Sequence, residues 1–547
     1  MTSLNENKPC LVETSQGFSV TYKQRFLYSK YNPEKNILQV IDKIEILPGT
    51  LILCNSPLLG YGIKEIIQKL PENCILLGCE INEELFSITK EFCSKYENIE
   101  NSIFHLLSPN ELNELPIYLE TEAKEYLKKR KIKRVIKIDF SAGTTFYSDF
   151  YSSLYETLQN IVAQFWKNRI TLVNFGRRYS RNLIKNLSSI NNSIPLSKLY
   201  NSVSEDIIVL GTGESLEKTI EYIKKIKKEF FIIAVDASLP ILKKSKIKVD
   251  IVVCEESQIA IAKAFIGCKK YAKYSVAGLT SCHNTISNSA KFNSWYIPIY
   301  EKTNFLKRIE NLNIVPCIPP LGSVGLTATY IALKIRKNAN VNVYISGLDF
   351  SFSAGKTHAN GAPANTSRLI NSNKLNSIEN YNATYNIGTY KILDKSNKNK
   401  FTNVALNGYA NIFNNFFSNT QNLFDITKSG IKLNIPFSQL TSESSKKINK
   451  TNEISEVHSI NEIKIIKDFC NNELEKLQTL KEILSSGQNI PENERNKLIF
   501  EIIKDREYLF LHFPDGSEPS LNIDFLKRIR TEIDFFIKDF NSALKNL

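Results

Sequence analysis

Absences shape the first reading of this 547-residue chain. It carries one methionine, two tryptophans and five histidines, so imidazole chemistry rests on very few positions. No run of about twenty apolar residues occurs, which excludes an ordinary membrane-spanning helix. The opening stretch MTSLNENKPCLVETSQG has no basic patch followed by an apolar segment, the form of a secretory leader. A soluble, unexported, cytoplasmic protein with no membrane insertion is expected. The ten cysteines (10, 54, 74, 79, 93, 254, 268, 282, 317 and 470) form no CxxC pair and no Cys/His ligand spacing. That excludes zinc ribbons and thioredoxin-type redox motifs. Most lie in apolar runs such as LILC and IVVC, where a free thiol behaves as a small hydrophobe in a reducing compartment. GxGxxG is also missing, as is any DxD pair with the tight spacing of a metal site.

What is present points to a large enzyme-like chain. The length suggests about three domains, and 42% hydrophobic against 23% charged residues is enough to bury substantial cores. The net charge is +14. Lysines cluster on a solvated helix face (Lys224, Lys225, Lys227, Lys228) or at loop edges (Lys243, Lys244, Lys246, Lys248), without interleaved arginine and aromatics. This is not the pattern of a nucleic-acid interface, and the bias to Lys, Asn and Ile is what AT-rich coding produces by itself.

Strand candidates GTLILC (49–54), CILLGCE (74–80) and RVIKIDF (134–140) alternate with helical stretches at 62–70 and 82–96. This rhythm predicts a parallel α/β unit over 1–175. Glu80 after its second strand, with NSPLLGYG after the first, has the outline of a ribose-binding carboxylate beside a glycine-rich turn, an outline that a purely structural α/β module of the same topology shares. Two helices are expected at 147–170 and 179–190, then a linker at 192–205. From Asp206 the pattern resumes: DIIVLG (206–211), a helix from Ser215, FFIIAV (230–235), VDIVVC (249–254), YSVAG (274–278), WYIPIY (295–300) and VNVYISG (341–347). Short apolar runs of this kind suit buried parallel strands. Residues 360–422 are polar and rich in Asn and Ser, which predicts an extended loop or lid within a central domain of 176–450. Apolar residues at i, i+3, i+4 and i+7 make 451–547 a helical domain.

Chemistry concentrates at the ends of the central strands. Gly211-Thr212-Gly213-Glu214-Ser215 joins a buried strand to an amphipathic helix; glycines permit close ligand approach, and Ser215 is placed to cap the helix and meet a phosphate. Asp236 and Glu255 end the next two strands, where carboxylates accept bonds from ribose hydroxyls or base amines, or hold a metal. Nothing in the spacing calls for Mg²⁺, and no metal ligand set is assigned. Gly322, Ser323 and Gly325 open a further helix, whose free N–H groups suit an anion. Asp349 and His358 follow the last strand. His358 lies in the loop AGKTHANG rather than among apolar neighbours, as His105 and His512 do, and an imidazole suits general acid/base work near neutral pH.

The strings GTGESL, AVDASLPIL, DIVVCEE and LGSVGLTATYIALKIRKNANVNVYISGLDFSFSAGKTHANG resemble the bacterial motility-associated-factor (Maf) flagellin glycosyltransferases, whose central domain is similar to bacterial sialyltransferases. YSKYNPEKN, LLGYG with its following Glu, and FGRRYSRNLIKNL extend the resemblance over most of the chain. It implies an α/β protein with a Rossmann-like N-terminal domain, a central sialyltransferase-like parallel sheet and a helical C-terminal domain. It also implies a cytoplasmic enzyme that moves a nonulosonic acid (pseudaminic or legionaminic type) from a CMP-activated donor to Ser/Thr of flagellin, with no cofactor besides the donor. Carried over, Gly211, Thr212, Gly213 and Ser215 would cradle the phosphate, Asp236 and Glu255 lie near the nucleoside, Gly322 and Ser323 complete the donor pocket, and Asp349 and His358 lie near the sugar. Glu214 stands where the related loop often has Pro. Two alternatives stay open: a diphosphate transfer from ATP to a hydroxymethylpterin, since a related central domain occurs in archaeal pterin pyrophosphokinases, and a non-catalytic flagellin-binding factor.

Overall fold

The computed structural model describes residues 8–97, 103–115, 131–226, 230–282, 289–377, 386–440, 453–485 and 491–547. Lys227 and Lys228 of the anticipated lysine face lie outside them. The chain forms two compact units, Met1–Asn174 and Phe175–Leu547.

The first unit opens with an antiparallel sheet of β1 (Cys10–Thr14), β2 (Gly17–Tyr22) and β3 (Arg25–Phe26), which the sequence pattern did not announce. Its main sheet contains β4 (Thr50–Asn55), β5 (Ile75–Cys79), β6 (Phe104–Leu107) and β7 (Arg134–Asp139), parallel throughout in the order β6-β5-β4-β7. Helices α1 (Lys35–Lys43), α2 (Ile63–Lys69) and α3 (Glu83–Glu97) belong to this unit. Apolar side chains cover both sheet faces, which is why β4 and β5 read as unbroken hydrophobic runs.

Between 147 and 190 two helices were expected, and one is found: α4 (Ser148–Leu187), followed by a 3₁₀ turn at Ser188–Asn192. Gly176 sits inside it, since a lone helical glycine costs only about 1 kcal/mol relative to Ala. The supposed linker is also ordered, with Leu196, Leu199 and Val203 buried in a core.

The second unit is built on eight strands: β8 (Ile207–Leu210), β9 (Phe231–Val235), β10 (Val249–Cys254), β11 (Ala272–Gly278), β12 (Ala290–Pro298), β13 (Cys317–Ile318), β14 (Val343–Ser346) and, beyond the small hairpin β15 (Thr389–Leu393)–β16 (Asn399–Asn403), β17 (Leu423–Asp425). All eight neighbours pair in parallel, in the order β13-β12-β11-β10-β9-β8-β14-β17. The chain therefore steps outward from β8 to β13, then returns to place β14 on the other side of β8. Such a reversal opens a crevice at the carboxyl ends of the two flanking strands.

One sheet face packs against α5 (Leu216–Lys225), α6 (Leu239–Lys244) and α7 (Asn304–Glu310), together with apolar residues of α11 (Ile460–Ser485), α12 (Glu492–Ile503) and α13 (Ile523–Asn546). The other face takes α8 (Val324–Ile335) and α10 (Val404–Phe417). The described part of the stretch read as a lid is thus largely folded, residues 378–385 lying outside the described residues. It contains α9 (Pro363–Asn371), the β15–β16 hairpin, and α10, whose Ala410, Phe413 and Phe417 are buried. Asparagines on the outer side of α10 diluted its apolar periodicity, although Asn403 caps it by accepting from Leu406 N–H at 2.9 Å. β13 and β17 are two and three residues long, too short for any periodicity to register.

Candidate functional site

The carboxyl edge of the eight-stranded sheet gathers the ends of β8, β9, β10 and β14. Two turns interlock there. Gly211 N–H donates to Ser346 C=O and Gly213 N–H to Gly347 C=O, both at 2.8 Å. A Cβ on Gly211 would run into Gly347 C=O, and one on Gly213 would stand 2.6 Å from Asp349 Oδ2. Gly347, at φ +73°, presses back on Gly211. The glycines of the GTGES turn are therefore demanded by the protein's own chain crossing.

Ser215 was expected to cap its helix; it makes no such bond. Its hydroxyl donates to Asp349 Oδ1 and accepts Gly347 N–H at 3.0 Å, while Ser215 N–H donates to Asp349 Oδ2 at 2.8 Å. Asp349 is buried, and burial raises its carboxyl to about 6 against the opposing pull of the two Ser215 bonds. It acts as the clasp between β8 and β14. Among the described residues, the N–H groups of Thr212 and Glu214 remain without an acceptor in this turn.

Glu214 turns away from it. Its carboxylate accepts from Ser353 N–H, from Ser353 Oγ at 2.8 Å and from Lys400 Nζ at 2.6 Å, an ion pair largely shielded from water. The negative charge in the place of proline is thus neutralised.

Asp236 and Glu255 face each other across the β9 and β10 ends. Asp236 is buried with one bond, from Ala237 N–H at 2.7 Å. Burial raises its carboxyl to about 7, and the charges of Glu255 and Glu256 push the same way. Glu255 Oε1 accepts from Tyr296 Oη at 2.6 Å and from Thr327 Oγ1 at 2.7 Å; burial raises its pKa while these hydroxyls oppose the rise. Tyr409, from α10, lies over Gly322, where φ is +76° and a Cβ would meet its ring at 3.0 Å. Burial and then the charges of Glu256 and Glu255 raise the pKa of Tyr179, and burial and then Glu255 raise that of Tyr409, so both rings feel the acidic groups at the β10 end. Tyr179, Tyr296, Thr327 and Tyr409 were not singled out in the sequence, whereas Glu256 was marked beside Glu255 only as a strand end. Only Thr327 carried a signal, one turn into the helix behind Ser323.

Ser323 precedes α8 with extended backbone and no side-chain cap bond. Its C=O accepts from Leu326 and Thr327, which leaves Val324 and Gly325 N–H groups unpaired in the first turn among the described residues. On the opposite side, the loop bearing His358 is pinned to the GTGES turn by Ala359 N–H to Thr212 C=O at 2.8 Å, and by Asn360 N–H to Glu217 at 2.6 Å. His358 Nδ1 lies 3.0 Å from Thr357 Oγ1, which Arg368 also contacts. Burial first, and then the Arg368 charge, lower the imidazole pKa, so His358 is neutral at pH 7.

No group of three or more His, Cys, Asp or Glu is placed to hold a metal among the described residues. Nor is any helix there long and apolar enough to cross a membrane. In the first unit, Glu80 is fully buried and holds Ser56 Oγ (2.6 Å), Asn82 N–H (3.1 Å) and Tyr151 Oη (3.4 Å). Of the two readings of Glu80, ribose carboxylate or part of a structural module, these internal bonds favour the second, and burial raises its pKa to about 7.

Along its whole length the chain resembles a solved Maf glycosyltransferase from Magnetospirillum magneticum AMB-1, with a TM-score of 0.54 over 99% of this chain and 92% of that one, at 10% identity. The two share a fold. The family described as 6-hydroxymethylpterin diphosphokinase MptE-like matches residues 181–355, the stretch that contains β8 to β14. An uncharacterized protein of Treponema pallidum (strain Nichols) is 28% identical over 556 residues, covering 97% of this chain and 94% of its own.

Proposed function

We propose that this protein is a cytoplasmic glycosyltransferase that moves a nonulosonic acid of pseudaminic or legionaminic type from a CMP-activated donor to Ser/Thr hydroxyls of flagellin. The observation that carries the reading is the crevice on the carboxyl edge of a sheet whose fold, over the whole chain, is that of a Maf glycosyltransferase. Thr212 and Glu214 N–H groups and the first turn of α8 are the donors for the phosphate. Asp236 and Glu255 take ribose hydroxyls or the cytosine amine, with Tyr179 and Tyr409 as flanking rings. The sugar–phosphate C–O bond breaks, CMP leaves with the electron pair, and the acceptor oxygen bonds to the anomeric carbon. Neutral His358 takes the hydroxyl proton, while Asp349 holds the turn through Ser215 and acts by positioning. No resident metal or organic cofactor takes part.

A second reading is favoured by the MptE-like match, namely diphosphate transfer from ATP to a hydroxymethylpterin. A non-catalytic flagellin-binding factor would draw its support from an acid at position 214 spoiling the phosphate turn, and the Lys400 and Ser353 bonds neutralise that acid. Calorimetric titration with CMP, UDP, GDP and ATP, with and without Mg²⁺, separates the readings. Metal-independent preference for CMP is expected, followed by mass gain of flagellin when CMP-activated sugar is supplied. Preference for ATP with Mg²⁺ overturns the transfer in favour of the diphosphokinase.

A further inference from the structure

A second cavity, of about 500 Å³, lies along the flank of α5, bounded by the β15–β16 turn and by the segments after β17. Its lining includes Lys218, Lys398 and Lys428, contributed by three separate stretches of chain. None of these ammonium groups has a carboxylate partner among the described residues. Lys356 and Lys400, also in the wall, are already matched to Glu217 and Glu214. Three ammonium groups without carboxylate partners around one cavity raise its positive potential, which favours a bound anion.

Two further features say what kind of anion. Tyr222 and Phe437 line the same cavity, each about half exposed (51%), with Lys428 Nζ 5.9 Å from the Phe437 ring centre. They are flat apolar surfaces on which a ring can stack. Asp394, also in the lining, is 4% exposed. Its Oδ1 accepts from Ser396 and Lys398 N–H groups, whereas Oδ2 is buried without a donor. An unpaired buried carboxylate oxygen is costly unless a hydroxyl or amine reaches it.

We infer that this cavity is a second binding site, for a nucleoside phosphate: phosphate against Lys218, Lys398 and Lys428, the base against Tyr222 or Phe437, and a hydroxyl or amine donated to Asp394. The site takes nothing from Asp236 or Glu255 and meets the GTGES turn at Glu214 and Ser215, whose side chains are already engaged by Lys400 and Asp349. It adjoins the His358 loop through Lys356, so that occupancy there reaches the region bearing His358.

The test is calorimetry on the full chain with AMP, GMP, CMP and UMP, and with inorganic pyrophosphate as the bare-anion probe. The three exposed lysines are changed together (K218A/K398A/K428A), and Tyr222→Ala and Asp236→Asn are prepared separately. For at least one nucleotide, the triple variant is expected to lose ten-fold or more in affinity. Tyr222→Ala weakens the same event several-fold and Asp236→Asn leaves it unchanged. The inference is overturned if every nucleotide binds the triple variant as it binds the parent, or if none binds the parent. Pyrophosphate binding as tightly as the nucleotides, with Tyr222→Ala inert, overturns it as well. Unchanged binding by the triple variant, or pyrophosphate matching the nucleotides, leaves the transfer proposed at the crevice standing; absence of all nucleotide binding, CMP included, removes both.

Discussion

Asp236 is a carboxylate held in the wrong solvent, and replacing it should stabilise the protein. Its pKa is raised by burial from 3.8 to about 7. Between those values the native state binds more protons than the unfolded chain, so stability falls as pH rises through the window. At ~1.4 kcal/mol per pH unit the full rise corresponds to on the order of 4 kcal/mol lost above pH 7. Asn has no charge to desolvate. Its carbonyl still accepts the Ala237 N–H, and its amide donors face the Glu255 and Glu256 charges that now oppose ionisation. Asp236→Asn should therefore exceed the parent by a few kcal/mol at pH 8, and by less than half that margin at pH 5. Urea unfolding at the two pH values measures the gap. The chain has only two tryptophans. Trp166→Phe leaves Trp295, 2% exposed in the core of the second unit, as the fluorescent reporter. A gap of equal size at pH 5 and pH 8, or a variant weaker than its parent at pH 8, would refute the reasoning. A residue that lowers stability in this way is kept for what it binds, so the same variant should lose nucleotide affinity at the crevice.

Four other outcomes follow from the geometry. Gly213→Ala places a methyl 2.6 Å from Asp349 Oδ2 and 2.9 Å from Gly347 C=O, which should destabilise by about 1–3 kcal/mol with no ligand present; unchanged urea midpoints would show that the two turns do not interlock in solution. His358→Ala should lower the transfer rate by about 10²–10⁴-fold while leaving nucleotide binding intact. Because Arg368 depresses the imidazole, Arg368→Ala should move the acidic limb of the pH–rate profile to higher pH; a limb that stays in place would remove His358 from the titration. Glu473 is fully buried against Arg308, Arg506 and Tyr508. Glu473→Ala should cost about 3–5 kcal/mol by leaving two guanidinium groups unmatched, read as a fall in urea midpoint, and an unchanged midpoint would mean water reaches the cluster.

The sequence by itself determined the longer buried strands, β4, β5, β7 to β12 and β14, and the carboxyl-edge placement of Asp236, Glu255, Asp349 and His358. A buried parallel strand is an apolar run a few residues long, and the polar residue after it marks the carboxyl edge wherever the strand lies in the sheet. α10 was written in the same code, in Asn403, Leu406, Ala410, Phe413 and Phe417, but asparagines blurred it. The tertiary structure alone decided the strand order, with β14 beside β8, because nothing local distinguishes one neighbour from another. That order turned two glycine turns into a single clasp and gave Ser215 and Asp349 to each other, 134 residues apart. It also brought Tyr296, Thr327 and Tyr409 around Glu255 and delivered Lys400 to Glu214. Each of these is a contact between distant segments, set by how sheet and helices pack; the residues' own neighbourhoods in the chain do not contain it.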